Sequence, residues 1–199
     1  HESIHCGAEL VDFDALLRDL LFQHGPLVHH SQAFGERLEQ IEVRHDRGAG
    51  GLGEVGLNTM VLEHGRERVL VDCGILFPRA DQLGVDIVVP DFRMLHEDPE
   101  SLKAVVLTHA HEDHLGALPW LIREYPVPIY GTPFTLALAR HRLEEAGLKG
   151  DLRSIGPGSA FDIGEQFVIE PVNVTHSVPD AVGLVVTTPS GTVVHSGDF

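Results

Sequence analysis

The chain has 199 residues, 43% of them apolar, enough to bury one sizeable core. Its 30 acidic against 14 basic side chains give a formal net charge of −16, without the basic footprint of a surface that gathers phosphates unaided. No run of about twenty apolar residues and no signal pattern is present, which argues against a membrane-spanning helix and for the cytoplasm. Its two cysteines, Cys6 and Cys73, are too few and too far apart for a disulfide framework and suit a reducing compartment.

In chain order, residues 1–45 form an unplaced N-terminal extension and residues 46–199 a second unit. The extension carries eight acids, three arginines and six histidines. Phe13, Leu16, Leu17, Leu20 and Leu21 recur at helical spacing, which predicts an amphipathic helix ended by Gly25-Pro26. His29-His30 read as surface histidines, and Arg44-His45-Asp46-Arg47 stands where a strand is expected just before Gly50. Beyond it, residues 57–63 and 68–72 read as a strand pair around a His64-Gly65 turn. Cys73, at the end of that pair, reads as an inert core thiol. The apolar run Ala104-Val105-Val106-Leu107 reads as a buried strand. Helices are predicted at 113–124 and 133–146. The second has Thr132 as N-cap, Pro133 at the first helical position, Gly147 as the stop, and Phe134, Leu138 and Leu143 as its buried stripe. Further strands are predicted at 127–130, 167–174, 182–187 and 192–195. Strands and helices intermix, so the class is α/β.

The segment Thr108-His109-Ala110-His111-Glu112-Asp113-His114 carries the most chemistry. It follows a buried strand and opens a helix. In an extended turn His109 and His111 project to one side, and Asp113 and His114 approach the same point from the start of the helix. Imidazole nitrogens and carboxylate oxygens suit zinc or manganese. Two later strand ends bring more ligand types. Val172-Asn173-Val174-Thr175-His176 ends in a histidine, and Thr192-Val193-Val194-His195-Ser196-Gly197-Asp198 ends in Gly-Asp. His195 reads as structural and Asp198 as the ligand.

With these motifs the chain resembles the metallo-β-lactamase superfamily, and within it the ribonuclease J branch of the β-CASP nucleases, from about Gly50 to Phe199. The H-x-H-x-D-H cluster marks the superfamily. Gly50-Gly51-Leu52-Gly53-Glu54-Val55-Gly56-Leu57-Asn58, Asp72-Cys73-Gly74-Ile75-Leu76-Phe77-Pro78 and Thr175-His176-Ser177-Val178-Pro179-Asp180 mark the branch. The resemblance implies an αββα sandwich, present in part, because in that family a β-CASP insertion and a returning half-domain follow the position of Phe199. It implies two zinc ions, with manganese an alternative. His109, His111 and His176 hold one ion, Asp113 and His114 the other, and Asp198 bridges them. Asp72 orients ligands, and Asp113 is also placed to take a proton from the attacking water. The implied activity is 5′-3′ exo- and endonucleolytic cleavage of RNA phosphodiesters in RNA processing and decay. The implied partners are RNA and, in a longer parent, further copies in a dimer or tetramer through segments absent here. This length alone is expected to be a poor nuclease.

Two other functions fit the ligand pattern. One is hydrolysis of a small thioester, lactone or lactam; the Gly50–Pro90 match disfavours it. The other is a module that keeps the fold without activity, which the complete ligand set disfavours.

Overall fold

The computed structural model describes residues 27–28, 42–44, 56–78 and 82–199. The helix expected around residues 13–21, the His29-His30 pair, Cys6 and the Gly50–Val55 run lie outside the described residues.

Alternation of apolar side chains organises the first sheet. The hairpin β3 (Met60–His64) and β4 (Glu67–Val71) pairs Met60 with Val71 and His64 with Glu67. Leu62, Val69 and Val71 turn one way, and Val61 and Leu70 the other, as a period of two requires. β5 (Leu102–Val106), β6 (Ile129–Gly131) and β7 (Leu152–Ser154) then add in parallel, and β2 (Glu42–Arg44) closes the opposite edge. The order is β2-β3-β4-β5-β6-β7. The strand expected just before Gly50 is therefore at Glu42–Arg44. With one apolar residue in three it offers no pattern to read.

The second sheet, β1-β11-β10-β9-β8, comprises β1 (Leu27–Val28), β8 (Phe161–Ile163), β9 (Phe167–Asn173), β10 (Val182–Thr188) and β11 (Gly191–His195). Phe167, Ile169, Val182, Leu184 and Val186 meet Leu62, Val71, Ala104 and Val106 of the first sheet in one core. The first sheet's other face packs on helices α1 (Glu112–Leu115), α2 (Leu118–Glu124) and α3 (Pro133–Glu145) through Leu70, Val105, Leu118, Leu121, Ala139 and Leu143. Among the described residues this gives three layers, helix on sheet on sheet.

Three expectations need correction. The hairpin's first strand starts at Met60 rather than residue 57, because Leu57 takes a left-handed conformation, φ 59°. The helix expected at 113–124 is two. Pro119 removes an N–H and would clash with the carbonyl four residues back, and Ala117 N–H instead donates to Cys73 O at 2.9 Å. On α3 the buried face is Thr135, Leu136, Ala139 and Leu143, while Phe134 and Leu138 are 37% and 39% exposed. Small Ala139 and Thr135 let the helix approach the sheet closely, and size rather than hydropathy chooses the inner face. Thr132 is the N-cap as expected, but its hydroxyl meets Thr135 Oγ1 at 3.0 Å rather than a backbone N–H. Gly147, φ 70°, follows the helix end.

Candidate metal centre

The ends of β4, β5, β9 and β11 and the start of α1 meet at one rim of the sandwich. Val182 N–H donates to Thr108 O at 3.0 Å, which ties the end of β5 to the second sheet. On the other side, residues 72–75 are laced to the start of α1: Cys73 N–H donates to His114 O at 2.7 Å and Ile75 N–H to Glu112 O at 3.1 Å. Arg142 of α3 holds Glu112 at 2.7 Å, so the turn between His111 and Asp113 is fixed from outside as well.

On this frame three imidazoles converge. His109 Nε2 lies 3.0 Å from His111 Nδ1, which lies 3.2 Å from His176 Nε2. Four-coordinate zinc with nitrogen ligands at about 2.0–2.1 Å sets those atoms roughly 3.3 Å apart. The donor set and its spacing fit such an ion. A second group joins His109, His114 and Asp198, and the ligand atoms of each group lie within 4.8 Å of one another. Asp198 Oδ2 sits between the groups, 3.4 Å from His114 Nε2, 3.9 Å from His176 Nε2 and 4.0 Å from His109 Nε2. Asp113 stands outside both groups, with its Oδ2 3.8 Å from His114 Nε2.

A single buried carboxylate sets the tautomers. Asp72 Oδ1 accepts Thr108 N–H, and Oδ2 accepts the Thr108 hydroxyl and His114 Nδ1–H, each at 2.8 Å. Since the Thr108 hydroxyl gives its proton to Asp72, it accepts from His109 Nδ1–H at 2.9 Å. His109, and His114 once it has given up its second proton, are thereby left with an Nε2 lone pair facing the rim. Histidine ligands are usually oriented in this way through their other nitrogen. Asp72 itself is held at φ 62°, a conformation that is costly for a residue with a Cβ.

Charge follows from the same contacts. Burial works against the Asp72 carboxylate, but the charge and hydrogen bond of His114 keep it below the usual carboxylate range. Burial also opposes a charged His114, yet Asp72 outweighs it and lifts the imidazole to about 9. His109 is pushed down to about 4 by burial and by the neighbouring His114. Burial raises the Cys73 thiol well above its ordinary value, as an inert core thiol requires.

His195 belongs to neither group: its Nδ1 accepts Gly197 N–H at 3.1 Å, and its charge acts on Asp72. Three residues at the site were given no role by sequence alone: Thr108, Asn58 and Ser177, whose Oγ lies 3.4 Å from His111 Nε2. Thr108 was legible in principle, being next to His109 at the strand end. Asn58 and Ser177 fall within motifs that mark the branch, but those motifs assign them no role, because contacts across the fold place them.

Two face-to-face sheets with a histidine-rich rim define a sandwich class built around divalent metal. The chain belongs to the metallo-beta-lactamase superfamily, whose model matches residues 52–199. Its sequence is 41% identical over 153 residues to Ribonuclease J of Helicobacter pylori, covering 75% of this chain and 22% of that protein. It is 44% identical over 158 residues to Ribonuclease J of Thermus thermophilus, covering 75% and 28%. The chain thus spans about a quarter of the length of these curated relatives. Among solved structures, zinc-bound PqqB from Methylobacterium extorquens shares the fold with a TM-score of 0.51 at 17% identity, over 70% of this chain and 48% of that one.

Proposed function

We propose that this chain carries the metal-binding part of a ribonuclease J-type hydrolase, which cleaves RNA phosphodiesters exo- and endonucleolytically with two zinc ions. The convergence of His109 Nε2, His111 Nδ1 and His176 Nε2 carries the reading, together with the 41–44% identity to Ribonuclease J. In it His109, His111 and His176 hold one ion, His114 and Asp113 the other, and Asp198 reaches both. When bound, such ions polarise a phosphoryl oxygen and acidify a water at neutral pH.

The chain's own residues do the rest. Asp72, buried beneath the rim, touches no substrate and acts by holding the His114 Nδ1 and Thr108 protons, so that in the neutral rings it is both Nε2 atoms that are bare. Asp113 is partly exposed and carries a second carboxylate oxygen that can take a proton from an attacking water. Asp198, 46% exposed, closes the site from the solvent side. The surrounding charge of −16 repels RNA, so gathering the substrate falls to parts of a longer protein, as do its self-association contacts. A cytoplasmic setting belongs to the same proposal, and the buried, unpaired Cys73 suits it.

The test uses a full-length parent, zinc-loaded, with 5′-monophosphorylated single-stranded RNA, nitrocefin and simple lactones as substrates. RNA shortening that His111→Ala abolishes is the expected result. Rapid small-molecule hydrolysis without RNA cleavage overturns the reading.

A further inference from the structure

Beneath the rim, one side chain bridges the two groups assigned to the second ion without belonging to the ligand set. Asn58 Nδ2 lies 3.1 Å from Asp113 Oδ2 and 2.9 Å from His114 Nε2. The Asp113 carboxylate is an acceptor, and His114 Nε2 is one in the neutral, metal-binding ring, whose single N–H is given to Asp72. The nitrogen end of the amide faces them, since the oxygen end would meet the lone pairs of the Asp113 carboxylate.

The backbone makes this placement deliberate. Asn58 N–H donates to Asp113 O at 3.0 Å, and Asn58 O accepts Gly74 N–H at 3.0 Å and the Thr59 hydroxyl at 2.8 Å. Just before it, Gly56 and the buried Leu57 both take positive φ, 108° and 59°. A leucine in that region is strained, and strain of this kind persists where the surroundings impose it and clusters at working sites. Here it swings the chain out of strand geometry and delivers Asn58 to the rim.

We infer that Asn58 is a positioning residue of the second metal site, its side-chain amide holding Asp113 Oδ2 and His114 Nε2 toward one opening; this rests on the proposed function above. One amide hydrogen is given to Asp113 Oδ2, and the nitrogen also faces His114 Nε2, which accepts from it when the ring is neutral. On loading, Asn58 gives up His114 and keeps Asp113, so the carboxylate stays oriented at no cost in new ordering. The pair served by Asn58 is distinct from the His109–His111–His176 group, so the effect of losing it is local.

Metal-free wild type, Asn58→Ala and Asn58→Ser are titrated with Co2+ against a chromophoric chelator, and the visible absorption of each equivalent is recorded. The first equivalent is expected to keep its affinity and spectrum. The second weakens about tenfold in Asn58→Ala, the scale found when a group that orients a ligand is removed, and less in Asn58→Ser, which retains one donor. Should the alanine variant not fold, the serine variant carries the comparison. Unchanged affinity at both equivalents overturns the inference. Equal weakening at both also overturns it, since a general loosening of the fold does that. A wild type that takes a single ion sinks the inference and the assignment of a second ion to this chain, and leaves the first group standing; one that takes none sinks the proposed function as a whole.

Discussion

Asp72 and His114 meet at 2.8 Å with side chains only 2% and 3% exposed, and through Thr108 the same carboxylate reaches His109. One buried charge thus orients histidines of both proposed metal groups. Breaking a buried pair by removing one partner costs several kcal/mol, because the other is left uncompensated. Asp72→Asn, which keeps the shape but offers less to two donors, is expected to destabilise the metal-free chain by roughly 3 kcal/mol and to weaken metal uptake at least tenfold. Urea melts and competition titrations read the two effects. Wild-type values in both would reduce Asp72 to an incidental contact.

The pH dependence of the metal-free chain follows from the two imidazoles. The raised His114, near 9, contributes stability that is complete below the unfolded value of 6.5 and is lost as pH climbs through 9. The lowered His109, near 4, acts oppositely: between 6.5 and 4 the unfolded chain binds the proton more readily, so stability falls on acidification. The lowered Asp72 adds to that acid-side loss below the ordinary carboxylate range. Thermal unfolding without metal should therefore be most difficult around pH 6.5. A melting temperature that rises steadily from pH 6.5 to 9 would contradict the assignment.

Metal loading gives the same pair a second signature. His109 is already unprotonated at pH 7, whereas His114 must release a proton before its Nε2 can bind. Affinity at the second group is expected to rise about tenfold per pH unit from 7 toward 9, with one proton released from His114. Calorimetry in two buffers of different ionisation enthalpy counts that proton. Finding none from the second equivalent would mean that His114 is not a ligand.

The sequence showed the strand-end histidines because they are local: His109, His111 and His114 fall in six residues behind an apolar run, and periodicity alone puts them on one turn. His176 and Asp198 were legible only in sequence order with that cluster, each being a lone ligand type at a strand end. Asn58 and Ser177 were visible only as members of motifs, and their roles were not legible, since their partners lie 55 and 66 residues away. The short strands β2, β7 and β8 were missed for a similar reason. Three residues each, they are placed by edge pairing rather than by a run of apolar side chains.

The stripe on α3 separates sequence from structure quantitatively. Leu143 is 1% exposed and packs in the helix–sheet core, while Phe134 and Leu138 face outward. Leu143→Ala should cost about 2–5 kcal/mol, the range for a buried leucine. Phe134→Ala and Leu138→Ala should each cost well under half of that. Chemical denaturation of the three variants decides, and comparable losses in all would restore the stripe read from hydropathy.

The tightest constraint near the site is Gly74. A Cβ there would lie 1.6 Å from the Asp113 carbonyl oxygen and 2.8 Å from His114 N, and both are backbone atoms that cannot swing aside. The obstruction falls on the segment after β4 that carries Cys73 N–H to His114 O and Ile75 N–H to Glu112 O, so relief requires α1 to move off the β4 end. Moving α1 takes Asp113 and His114 with it and breaks the bond to Asp72. Gly74→Ala is therefore expected either not to fold or to lose more than about 4 kcal/mol, at the far end of single substitutions. In surviving protein the second metal equivalent should be lost before the first. Gly156→Ala is the matched control: its Cβ meets nothing within 4 Å, and stability and metal uptake should stay at wild-type values. Gly74→Ala with wild-type melting and two bound ions would show that α1 does not pack on residues 72–75 in solution, and the geometry of the rim would fall with it.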